Sequence, residues 1–101
     1  MPKEEKKILE RTIAKYLRDQ GKKYKAEVRK LEWTNRRDAP DYLVMLNGPH
    51  FVETKTPGEV PRPSQEREFE LMESKGVSVH VLDTFEKVDY FYRRIAAKCE
   101  F

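Results

Sequence analysis

Asp41, Glu53 and Lys55 are residues whose types and spacing could do chemistry together. They fall in the stretch APDYLVMLNGPHFVETKTPGE, residues 39–59, where one acid precedes an apolar run and an acid and a lysine close the next. A hard divalent cation is bound by carboxylates, neutralises an anionic substrate and lowers the pKa of a bound water. A nearby lysine can orient a nucleophile or steady developing negative charge. Acids and a cation gathered this way are what hydrolysis of a phosphodiester needs. Glu53 and Lys55, two apart on a strand, project from one face. An odd loop such as Asn47-Gly48-Pro49 puts Asp41 on that face, opposite Lys55 and diagonal to Glu53. A two-residue loop would put it on the wrong one, so an odd loop or an equivalent bulge is expected. Thr54 points the other way, with its carbonyl at the level of a bound metal. Two acids at the edge of apolar strands cost free energy unless something compensates them.

The elements around these residues follow from periodicity. Residues 3–20 read as a helix with Leu9, Ile13, Tyr16 and Leu17 on one stripe, Pro2 suited to its start and Gly21 a natural stop. KKYKAEVRKLEW alternates, with Tyr24, Ala26 and Val28 on one strand face and an end or bulge near Lys30. TNRRDAP is a loop. DYLVMLN lacks polar alternation, which implies cover on both faces. After the NGP turn, HFVETK is a third strand, and TPGEVPRP is a loop. A helix is expected from Pro63 to Lys75, with Phe69, Leu71 and Met72 apolar and Gly76 ending it. VSVHVLD is a strand. Asp83 then reads as an N-cap, with Glu86 completing a capping box, for a last helix over 84–99 carrying Phe85, Val88, Tyr92 and Ile95. The result is a mixed α/β sheet flanked by helices, in which the last strand returns parallel to an earlier one by a right-handed crossover.

The chain of 101 residues fits one domain, 1–101, with a modest core. Charged residues make up 39%, against about 25% in ordinary soluble domains, yet 21 bases and 18 acids leave a net charge of only +3. That favours an anionic partner weakly. The single cysteine, Cys99, rules out an internal disulfide framework and fits a reducing cytoplasm. MPKEEKKILE has no apolar core of a secretory signal, and no run approaches a membrane span.

The order PD, then about a dozen residues, then ETK resembles the PD-(D/E)xK nuclease motif. Over residues 8–83 the chain is more narrowly similar to the VRR-NUC domain, the virus-type replication-repair nuclease. It shares the Pro-Asp before an apolar strand, the Val-Glu-x-Lys strand, a Ser/Pro-rich helix start with a glutamine, a glycine-terminated helix and a valine-rich strand. The resemblance implies a restriction-endonuclease-like αβββαβ core plus a C-terminal helix. It assigns Asp41, Glu53 and the Thr54 carbonyl to Mg²⁺, with Mn²⁺ an alternative, makes Lys55 the catalytic lysine and sets Gln65 near the scissile phosphate. Glu10 is the best match for the family's acid on the first helix. Periodicity alone does not choose between Glu10 and Glu5, which flank the apolar stripe on opposite sides. Stand-alone phage or bacterial members are similar to Holliday-junction resolvases. The implied function is thus a structure-selective endodeoxyribonuclease for four-way junctions that acts as a homodimer in the cytoplasm, without a membrane. A flap or branched-DNA nuclease and a non-catalytic DNA-binding module are the rivals. The chain departs from the family at Asp38, where a glycine is usual; Asp38 reads as a solvated turn residue or as a perturbation of the metal site.

Arg36, Arg37, Arg62, Arg67, Lys22 and Lys23 are the expected phosphate contacts, with Ser64 a cap or phosphate contact, and plain solubility is the competing explanation. No histidine is placed to make Ser64 a nucleophile. His50 reads as a surface hairpin residue, His80 as packed or surface, and Trp33 as buried. Tyr90, Phe91 and Tyr92 place aromatics on more than one face of the last helix, so one flank is available for a dimer.

Overall fold

The computed structural model describes residues 8–97. Pro2, Glu5 and Cys99 lie outside the described residues, so the alternative of Glu5 is not addressed by the fold. The elements are α1 (Glu10–Tyr24), β1 (Glu27–Lys30), β2 (Tyr42–Met45), β3 (Pro49–Thr54), α2 (Pro63–Ser74), β4 (Val79–Leu82) and α3 (Phe85–Ala97). The sheet order is β1-β2-β3-β4. The first three strands form an antiparallel meander, and β4 returns through α2 to pair parallel with β3.

Two departures come from the first helix. Ile8 and Leu9 precede it rather than lying inside it. At its other end it runs past Gly21 to Tyr24, where Lys25, in the left-handed region at φ 63°, closes it. The Lys25 and Ala26 N–H groups then donate to Lys22 and Gly21 carbonyls at 3.2 and 2.8 Å, a Schellman ending. Gly21 is a packing residue instead. A Cβ there would lie 2.7 Å from Val28 Cγ2 and 2.8 Å from Tyr92 Oη. That absence lets α3 approach until the Tyr92 hydroxyl donates to the Leu17 carbonyl at 2.8 Å. Burial holds this phenol in its neutral form and raises its pKa. Tyr24, expected in a strand, stacks on Tyr92 with ring centres 5.1 Å apart.

The core lies between the sheet and α1 with α3. Ile13, Ala14 and Leu17 meet Tyr42, Val44, Val52 and Leu82 from the sheet and Val88, Tyr92 and Ile95 from α3. Cover on the other face is thinner than the apolar DYLVMLN run predicts. Leu43 is half-buried and Met45 exposed there. α2 buries Phe69 and Gln65 but leaves Leu71 exposed. Trp33 is also on this face, partly exposed rather than buried, with its ring 6.0 Å from that of Phe51.

The β2–β3 hairpin has an odd loop, but one residue earlier than expected: the ladder extends to Met45 opposite Pro49, leaving Leu46, Asn47 and Gly48 as the turn. Asn47 and Gly48 tolerate the positive φ the turn needs (56° and 115°). Pro49 can open β3 because its missing N–H falls at a pair that exchanges no hydrogen bonds across the hairpin. The Asn47 side chain donates to the Ile95 carbonyl at 2.9 Å and so fastens the turn to the end of α3. His50 thereby faces the α3 side and is buried, not a surface residue, with its ring 5.9 Å from Phe91; the half-buried His80 ring is 4.8 Å from Phe91. The cap of α3 is Thr84, whose Oγ1 accepts from the Lys87 N–H at 3.0 Å. Asp83, the expected cap, instead accepts from the Gly58 N–H at 2.9 Å and pairs with Lys87 at 2.8 Å. Among the described residues, no helix is long and apolar enough to cross a membrane.

Candidate active site

Continuing the ladder by one pair from Tyr42 opposite Val52 brings Asp41 opposite Glu53 rather than Lys55. Because the loop is odd, both acids still share a face. Glu10, in the first turn of α1, completes the group: ligand-competent oxygens of Glu10, Asp41 and Glu53 lie within 4.8 Å of one another. The Thr54 hydroxyl, on the α1 side of β3, donates to Glu10 Oε2 at 3.5 Å.

Glu53 and Lys55 are both buried, as is Gln65. The Lys55 ammonium lies 3.5 Å from Glu53 Oε2 and donates to Gln65 Oε1 at 2.9 Å. Gln65 Oε1 also accepts from the Arg62 N–H at 3.0 Å, while its Nε2 donates to Glu53 Oε2 at 3.1 Å. Two donors around the oxygen and a carboxylate facing the nitrogen fix the orientation of the amide. Gln65 thus closes the start of α2 and bridges Lys55 to Glu53 at once.

Burial pushes the Glu53 carboxyl up to about 7, and the charges of Asp41 and Glu10 push the same way. Lys55 opposes them without winning. Glu53 Oε1 is buried with no hydrogen-bond partner. A buried carboxylate oxygen left in this state is costly. With Glu10 and Asp41 beside it, Glu53 makes a group of three hard oxygen donors that fits a hard divalent cation.

The strand beside Glu53 also leaves one carbonyl outside the ladder. The Phe51 and Lys55 N–H groups donate to the carbonyls of Ser78, just before β4, and of Leu82 in β4, at 3.0 and 3.1 Å, so the peptide groups of Val52 and Thr54 turn toward β2. The residue that continues β2 beside Thr54 is Pro40, which has no N–H. The Thr54 carbonyl therefore meets no ladder donor. Pro40 is itself held by Trp33, whose indole N–H donates to its carbonyl at 2.7 Å.

Arg36, Arg37, Asp38, Ser64 and Arg67 line an open groove of about 470 Å³ between the β1–β2 loop, which leads to Asp41, and α2. Asp38 pairs with Arg62 at 3.0 Å, and Arg36 with Glu68 at 3.7 Å. Asp38 thus adds no fourth carboxylate to the group of three acids and instead ties the loop bearing Asp41 to the start of α2. Lys22 and Lys23 sit in the last turn of α1, about 18 Å along the helix axis from Glu10, so the fold does not gather them with the site.

No family model matches the chain. A solved structure described as a VRR_NUC domain superposes with a TM-score of 0.76 at 36% identity, covering 83% of this chain and 94% of that one.

The chain belongs to the VRR-NUC family.

It is also similar to "Putative nuclease p44" of Acyrthosiphon pisum secondary endosymbiont phage 1, 42% identical over 79 residues, which are 76% of this chain and 85% of that protein. As a VRR-NUC chain its enzyme class is nuclease, and its four-stranded mixed sheet with three helices is the αβββαβ core plus a C-terminal helix. The VRR-NUC site contains a contact that sequence reasoning missed, Trp33 on the Pro40 carbonyl. An indole seven residues before a proline carries no pattern that announces a hydrogen bond.

Proposed function

We propose that the chain is a Mg²⁺-dependent, structure-selective endodeoxyribonuclease that cuts four-way DNA junctions as a homodimer. The observation that carries this is the convergence of Glu10, Asp41 and Glu53 beside a buried lysine. These carboxylates, with the Thr54 carbonyl, would hold the cation, Mg²⁺ or in its place Mn²⁺. When bound, the cation neutralises charge on the phosphodiester and makes a water more acidic.

The chain's own residues do the positioning. Lys55 is the catalytic lysine: its ammonium orients the attacking water and faces the charge that develops on the phosphate. Gln65 is a positioning residue for Lys55, since it holds one of the ammonium's three protons, and its place at the start of α2 brings it near the scissile phosphate. Arg36, Arg37, Arg67 and Ser64 contact backbone phosphates along the groove, and Arg62 joins them when a phosphate competes with Asp38. One chain offers one site, whereas resolving a junction takes two symmetric cuts, which a two-fold dimer supplies. Exposed Tyr90 on α3 is the aromatic left for such an interface, since Phe91 and Tyr92 are buried.

The test compares wild type with Lys55→Ala on four-way junction and linear duplex DNA in Mg²⁺, together with the mass in solution. Wild type is expected to cut the junction in preference to the duplex and to run as a dimer. Lys55→Ala should keep junction binding but cut at least about 100-fold more slowly. Persistent cleavage by Lys55→Ala would overturn the role of Lys55. Equal cutting of duplex would overturn junction selectivity, and binding without cleavage by wild type would leave a DNA-binding module.

A further inference from the structure

A second cleft, sharing no residue with the groove along α2, opens on two of the three acids. It has a volume of about 580 Å³ and runs between the first turn of α1 and the end of β1. Glu10 and Asp41, two of the three gathered acids, form part of its wall, with Tyr42 and Thr56 beside them. The remaining polar lining is cationic: Arg11 next to Glu10 on α1, and Lys30 at the last position of β1. Lys30 is held in place by the ladder opposite Tyr42 and by that ring, 5.2 Å below its ammonium.

Both cations are exposed, and among the described residues neither makes an ion pair, unlike Arg36 and Arg62 across the site. They are next to carboxylates without being spent on them. A strand passing over the acids carries a phosphate on each side of the one being cut. The groove along α2 meets one flank, and this cleft is where the other flank would lie. Point charges fixed to a helix turn and a strand end suit backbone phosphates, which need charge rather than base-edge geometry.

We propose that the cleft between α1 and β1 is a second backbone-phosphate subsite, in which Arg11 and Lys30 grip the substrate strand on the α1 side of the cut. It rests on the reading of DNA as substrate and extends it to residues that reading does not use. The competing account is that Arg11 and Lys30 only soften the negative potential of the acids. The two differ in sign: on that account, removing the cations strengthens Mg²⁺ binding and leaves the DNA contacts unchanged.

The experiment is junction binding by anisotropy in Ca²⁺, from 50 to about 200 mM salt, for wild type, Arg11→Gln/Lys30→Gln and a control of equal charge, Arg18→Gln/Lys75→Gln. Mg²⁺ binding without DNA is measured in parallel, and thermal melts confirm that each variant folds. The subsite predicts a dissociation constant about tenfold weaker near 100 mM salt and a log–log salt slope smaller by about 2 for the first variant. The control should stay within about threefold of wild type with its slope retained. Wild-type affinity and slope in the first variant, or an equal loss in the control, would overturn the subsite. So would tighter Mg²⁺ binding with unchanged DNA binding. If wild type itself fails to bind junction or duplex DNA, the DNA reading falls first and takes the subsite with it.

Discussion

Replacing Glu53 by glutamine should stabilise the metal-free protein at high pH, although it removes a residue from the centre of the site. The wild-type carboxyl is buried, faces Asp41 and Glu10, and is pushed from its ordinary 4.5 to about 7. A folded chain that holds its proton more tightly than the unfolded one has a stability contribution complete below 4.5 and lost as pH rises through about 7. Each pH unit across that window is worth about 1.4 kcal/mol, so ionised Glu53 costs the fold about 3 kcal/mol above it. Glutamine has the same shape and no charge to desolvate. Lys55 loses its neighbouring carboxylate in the variant but keeps its bond to Gln65. In EDTA, the Glu53→Gln and wild-type melting temperatures should therefore nearly coincide at pH 5. By pH 8.5 the variant should lead by about 12–24 °C, at the usual conversion for a small domain. Adding Mg²⁺ at pH 8.5 should raise the wild-type melting temperature and leave the variant almost unmoved, because only a ligand of the folded state stabilises it. A gap that stays flat between the two pH values, or a variant that loses ground as pH rises, would refute the claim that burial dominates over Lys55 at this carboxylate.

Gly21→Ala should destabilise the protein by about 1–3 kcal/mol, because the added methyl meets Val28 and the Tyr92 hydroxyl, despite the roughly 1 kcal/mol that alanine contributes to a helix interior. A lower urea midpoint checks it, and a higher one would show that the packing against α3 accommodates a methyl group at this position. Trp33→Phe keeps a ring over Phe51 but removes the donor to Pro40. Stability should fall by no more than about 1.5 kcal/mol, while Mg²⁺ affinity measured by titration weakens; unchanged affinity would show that Asp41 is positioned without Trp33.

The parts of the site legible in the sequence were those set by strand periodicity. Glu53 and Lys55 had to share a face, and an odd turn had to bring Asp41 onto it; both are properties of the pleat. Which odd register is adopted was not legible, since it depends on Asn47 taking a left-handed conformation and reaching the end of α3. Gly21 misled because glycine ends helices and also permits close packing, and only the position of Tyr92 distinguishes the two. His50 changed from surface to core for the same reason: its burial follows from what α3 lays over that face. The cleft with Arg11 and Lys30 joins elements nearly twenty residues apart, and no spacing rule brings a helix's first turn beside a strand's last residue.

The Leu46-Asn47-Gly48 turn also limits how this chain can change length. Loops on protein surfaces ordinarily absorb insertions and deletions at little cost. Here a single-residue deletion or insertion would reverse every side chain on one arm of the hairpin, sending Asp41 to the opposite side of the sheet from Glu53 while the core residues Tyr42 and Val44 turn outward. Two residues together would restore the phase. Length changes in relatives should therefore come in pairs at this turn, whereas the β1–β2 loop, whose ends are fixed by the ladder and by Trp33, can vary by one.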